Sequence, residues 1–83
     1  MSTTMTMTKP ITLSAALVGR VKFNVRQEIE ALRTMPAAPG MYYRAEINGR
    51  LRLMEGLGLI DAAEAQTLGE LADAAQQEGE EAH

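Results

Sequence analysis

The chain has no cysteine, no tryptophan, a single histidine and, beyond Arg52, no lysine or arginine. Each absence closes a class of explanation. Without cysteine there is no disulfide, no thiolate to hold a metal and no thiol nucleophile. The one imidazole, His83, stands at the end of an acidic, glycine-containing stretch expected to fray, so no histidine cluster is available for a metal or a general base. The two serines are Ser2 and Ser14, neither near a candidate base. No glycine-rich phosphate loop follows a strand, and "GLG" at residues 56–58 reads as a helix end. Pairs such as Glu28 with Glu30 and Glu70 with Asp73 read as a solvated helix face, because so short a chain has no pocket to shift their ionisation. The expectation is therefore no catalysis, no cofactor, no metal and no small-molecule substrate.

Long hydrophobic runs are also missing. A membrane-spanning helix needs about 20 predominantly apolar residues, and nothing here approaches that. The stretch "KPITLSAALVGRVK" has a lysine before a short apolar run, as a signal peptide would. Thr12 and Ser14 interrupt that run, Arg20 and Lys22 follow it at once, and no convincing small-x-small cleavage site precedes them. A cytoplasmic location without membrane contact is expected. Eighty-three residues allow one small domain with a thin stability margin. With disulfide and metal excluded, the remaining staple is a second chain, and a homodimer or a complex with another protein is expected, the homodimer first.

What is present is helical patterning. Residues 1–10 alternate Met and Thr, end in Pro10 and read as a disordered leader, within which Met5 and Met7 are alternative translation starts. Val18, Val21, Val25, Ile29 and Leu32 then recur at spacings of three and four, predicting a helix over about 13–34. Thr12 or Ser14 can cap it, and Arg26, Glu30 and Arg33 support it through short-range ion pairs. "MPAAPG" reads as a tight loop that returns the chain antiparallel.

The next stretch, "AEINGRLRLMEGLGLI", fits two periodicities. Around Asn48-Gly49 it alternates like a β-hairpin with a two-residue turn. In steps of three and four, Tyr43, Ile47, Leu51, Met54 and Leu57 form a helical stripe, with Glu46 well placed to pair with Arg50. The ending favours the helix over about 41–57. Gly58 falls where a left-handed cap belongs, and Asp61 with Glu64 forms an acidic cap and capping-box pair for a following helix over about 61–77. Two isolated strands would also have no third to join. The expected fold is all-α, a small three-helix domain of antiparallel hairpins with residues 78–83 as a frayed tail. The alternative is α+β with a hairpin at Asn48-Gly49. Val21, Val25, Ile29, Ile47, Leu51, Met54, Leu57, Ile60, Leu68 and Leu71 are the expected core.

The stretch "RLMEGLGLIDAAEAQTLGEL" resembles the short C-terminal helical hairpin called SHOCT, in which a leucine-rich helix, a Gly-Leu-Ile turn and an acid-capped helix follow one another. The resemblance spans about twenty residues by the quoted stretch. It implies the hairpin geometry and carries no function with it.

Charge is the most informative pattern. All eight lysines and arginines lie at or before Arg52, against only Glu28, Glu30 and Glu46 in that part. Residues 54–83 hold the other eight acids. Segregation this complete points to an electrostatic contact. The third helix can neutralise the first two, within a protomer or across a dimer. The expected function is then a non-enzymatic protein-interaction or regulatory module. A second possibility is a small phage- or plasmid-type inhibitor whose acidic face, with Glu64, Glu70 and Asp73, competes with nucleic acid for a host protein such as a defence-system nuclease. A third is a nucleic-acid binder using the basic surface of helices one and two, opposed by the scarcity of aromatics and by a last helix without positive charge. Tyr42, Tyr43, Arg44, Arg50 and Arg52 are the candidate partner-binding residues beside those three acids, since Tyr and Arg dominate interface hot spots.

Overall fold

A computed structural model describes residues 14–83 and is all-α. The elements are α1 (Ala15–Ala31), a 3₁₀ turn (Leu32–Thr34), α2 (Ala37–Gly56) and α3 (Ala62–Ala82). No strand occurs among the described residues, and α2 runs unbroken through Asn48-Gly49, so the hairpin alternative is set aside. The expected leader, residues 1–10, and the candidate cap Thr12 lie outside the described residues.

Local signals explain most of the boundaries. Ser14 caps α1, its hydroxyl accepting from the Leu17 amide at 3.1 Å. At the far end of α2 the chain closes in a Schellman motif. Gly58 takes a φ of 76°, its amide donates to Glu55 O at 3.0 Å, and the Leu59 amide donates to Met54 O at 2.9 Å. Asp61 caps α3 by accepting from the Glu64 amide at 2.7 Å. The reciprocal half of the expected capping box does not form, because the Glu64 carboxylate pairs with Lys22 of α1 at 3.4 Å.

Two boundaries differ from expectation. The "PAAPG" segment is not a loop. Pro36 is the extended cap, with ψ 171°, and Pro39 occupies the first turn of α2, where an amide would have no helical partner to lose. The Gly40 amide then makes the first helical bond, to Pro36 O at 2.9 Å. At the other end, α3 does not fray at 78 but continues to Ala82. Gly79 is buried against the turn after α1, and Glu78 is held by Arg33, so tertiary contacts extend a tail that local propensity would leave loose.

The helices form an up-down-up bundle. Glu28 of α1 meets Arg50 of α2, and Arg44 of α2 meets Asp73 of α3, which makes both neighbouring pairs antiparallel. Lys22 with Glu64 and Arg33 with Glu78 set α1 parallel to α3. The core contains Val25, Ile29, Leu32, Ile47, Leu51, Met54, Ile60, Leu68, Ala72 and Ala75. Val21 and Tyr43 pack half-buried at its edge.

Two expected core residues are not buried. Leu57 is 62 % exposed because α2 ends there and the cap turns Leu59 and Ile60 inward in its place. Leu71 is 40 % exposed because Ala72 and Ala75, both fully buried, occupy the line of α3 that faces the other helices. Small side chains on that line let α3 approach closely, which is where its contribution to packing lies.

Candidate interaction surface

The ion pairs account for much of the segregated charge. Three cations of the α1–α2 half reach acids of α3 within the same protomer: Lys22 to Glu64, Arg33 to Glu78, and Arg44 to Asp73. Arg44 is the most enclosed. Its Nε and Nη2 both lie 2.9 Å from Asp73 Oδ1, Nη2 also donates to Gly69 O at 3.0 Å, and Nη1 donates to Asn48. Its side chain is only 13 % exposed. Arg33 Nε also donates to Glu30 Oε1 at 2.9 Å, and that hydrogen bond, with the charges of Glu30 and Glu78, holds the guanidinium above its ordinary range.

The expected site residues therefore divide. Arg44, Asp73 and Glu64 are brought into structural pairs, and Tyr43 packs on the core. Glu70 accepts only from Gln66, at 3.3 Å, and Arg52 has no ion-pair partner among the described residues. Arg50 does not join Glu46 one turn earlier, as the helical spacing suggested. It crosses instead to Glu28 of α1 at 2.9 Å, leaving Glu46 without an ion-pair partner among the described residues. The other oxygen of Glu28 is buried and accepts no hydrogen bond.

Among the described residues the exposed large apolar side chains, apart from Leu71, belong to α1 and to α2 with its cap. A groove of about 210 Å³ between these helices is lined by Val21, Asn24, Val25, Arg50, Leu53 and Met54. Leu53 on its rim is 63 % exposed, and Leu57 lies one turn further on. Tyr42, on the same side of α2 as Leu53 by helical periodicity, is 82 % exposed. Leu53 was not among the sequence candidates. The signal for it was a surplus: Leu51, Leu53, Met54 and Leu57 are too many apolar residues for one face of a helix. The outer face of α3 is different in kind, with Gln76–Glu80 and Gln77–Glu81 side-chain pairs one turn apart.

Among the described residues, no group of three or more His, Asp or Glu side chains is placed to hold a metal, and no helix is long and apolar enough to cross a membrane. No protein-family model, curated protein or solved structure matches this chain.

Proposed function

We propose that this protein is a non-catalytic interaction module whose working surface is the outer side of α2 and the adjoining α1–α2 groove. The observation that carries this reading is exposed Leu53 on the rim of a groove lined by Val21, Val25 and Met54, with exposed Leu57 one turn further on and exposed Tyr42 three turns earlier on the same side of α2. A small domain that needs every apolar residue for its core has reason to leave leucines outside when another surface covers them. Ion pairing within the protomer weighs against a nucleic-acid interface. Lys22, Arg33, Arg44 and Arg50 each have a carboxylate partner, which leaves Arg20, Arg26 and Arg52 as the cations without one among the described residues. Three scattered charges are a weak footprint for a phosphate backbone.

A photoreactive crosslinker at position 53 should capture a partner chain, whereas one at position 77, on the glutamine- and glutamate-rich face of α3, should not. Equal capture at both positions, or none at position 53, would defeat the reading. A second reading assigns the contact to that α3 face, where Glu70, Glu80 and Glu81 have only glutamine partners among the described residues. Glu70→Lys with Glu81→Lys tests it without disturbing Asp73, which the fold uses. Loss of a partner in that variant, with position 53 silent, would favour the acidic face.

A further inference from the structure

The outer face of α2 has a property that its apolar character alone does not explain. At about 100° per residue, Tyr42, Glu46, Gly49, Leu53 and Gly56 fall within roughly 40° of one line along the helix. Two of these five are glycines, Gly49 in the helix interior, where it costs about 1 kcal/mol relative to alanine, and Gly56 as the last helical residue. A Cβ at Gly49 or Gly56 would meet nothing within 4 Å, so no contact inside the protomer requires either glycine. On the flank of this line nearest α1 stand Pro39, Glu46, Arg50 and Leu57, the last at the helix end.

This pattern is complementary to itself when reversed. A twofold axis perpendicular to α2 at Asn48-Gly49 sets each flank against the same flank of a second copy, running the other way. Glu46 then stands opposite Arg50 of the partner subunit, and Arg50 opposite the partner subunit's Glu46. Pro39 meets the partner's Leu57, and the Tyr42 ring lies between the partner's Leu53 and Gly56. The two glycines at position 49 face each other at the centre, where the absence of side chains permits close helix approach. Glu46, left without an ion partner among the described residues, gains Arg50, which is held through Nη1 by Glu28 of its own protomer but is half-exposed and keeps its other guanidinium nitrogens for the contact. Tyr42 and Leu53 leave water together.

We propose that this face of α2 docks on a second copy of the same chain, as an antiparallel α2–α2 pair centred on Asn48-Gly49. The proposal rests on the reading of α2 as an interaction surface and names its occupant. Charge complementarity at Glu46 and Arg50 is what selects self-pairing over an arbitrary apolar partner.

Sedimentation or light scattering across concentration tests this with two single reversals and their mixture. Glu46→Arg alone sets arginine against arginine across the axis. Arg50→Glu alone sets glutamate against glutamate and also removes the pair with Glu28 inside the protomer. The helicity and melting of Arg50→Glu are therefore measured beside the parent's, and Glu46→Arg carries the test if Arg50→Glu is unfolded. Each should weaken dimerisation roughly tenfold or more. Mixed together they restore both cross-axis pairs, so the mixture should yield a heterodimer that neither variant forms with itself. Gly49→Leu adds a control that does not depend on charge. A Cβ at that exposed position meets no atom within 4 Å, so the variant should remain folded, melt higher and lose the dimer. A wild type that stays monomeric at millimolar concentration overturns the proposal, and capture of a different chain from position 53 would then leave the broader reading standing. A wild-type dimer that neither reversal weakens, or a mixture that does not recover, places the contact elsewhere and overturns it equally.

Discussion

At the α3 end of the bundle, a methyl group on Gly79 would stand 2.2 Å from Leu32 O and 2.4 Å from Met35 O. Along α2, a methyl group on Gly49 or Gly56 would meet nothing within 4 Å. The residue type and the helical setting are the same, and the reasons for glycine are opposite. Gly79 is required because a neighbouring backbone already occupies the space its side chain would fill. Gly49, in the helix interior, weakens α2 with no return inside the protomer. A glycine justified by packing reports how the domain holds itself together, and one without such justification, as at Gly49, leaves room that the proposed α2–α2 contact would use.

The contrast can be tested from its largest consequence downward. Gly79→Ala forces a Cβ into backbone carbonyls that cannot rotate away, so α3 must lift from the turn at Leu32–Met35. A loss of about 3 kcal/mol is expected in urea unfolding, toward the upper end for overpacked sites. An unchanged denaturation midpoint would show that α3 does not seat on the turn as described. Arg44→Ala removes hydrogen bonds to Asp73, Gly69 and Asn48 from a nearly enclosed position, and should cost about 2 kcal/mol. Its effect should persist in high salt, because the side chain is largely shielded from solvent. Gly49→Ala should act in the other direction, raising monomer stability by about 1 kcal/mol while weakening self-association. Stability and association moving together at that position would break the comparison. The smallest effect is expected for Leu57→Ser, within about 0.5 kcal/mol of the parent in monomer stability, because that side chain is mostly in water.

How much was legible beforehand differs along the chain for physical reasons. The α2–α3 connection was readable because it is decided locally. Gly58 tolerates a positive φ, Asp61 offers an oxygen to a free amide, and both effects act within one turn. The Val25, Ile29, Ile47, Leu51 and Met54 stripes were readable because burial repeats with the helical period. The first turn of α2 was misread because proline signals a break in most settings, whereas at positions without a helical amide partner it signals a start. The length of α3 was misread because "EGEEAH" has no local reason to persist. Its order comes from Arg33, Thr34 and the backbone around Leu32, far away in sequence, including a 3.0 Å contact between His83 Nε2 and Thr34 O. The same holds for the candidate surface. Tyr42 is a candidate from its residue type alone, not distinguished in exposure from Tyr43, and Leu53 is not separable from the core leucines beside it until the helices have faces.

The amino-acid order by itself determined the all-α class, the cap at Gly58 and Asp61, the central core stripe and the division of the chain into a basic and an acidic part. These follow from backbone conformational limits, helical periodicity and the placement of charge. Only the tertiary structure decided which acids neutralise which cations. It turned Arg50 toward Glu28 and not Glu46, made Gly79 indispensable, and left Gly49 and Gly56 without a role inside the protomer. Those outcomes depend on which helix faces come together, and that is set by how three stripes of unequal bulk pack at once.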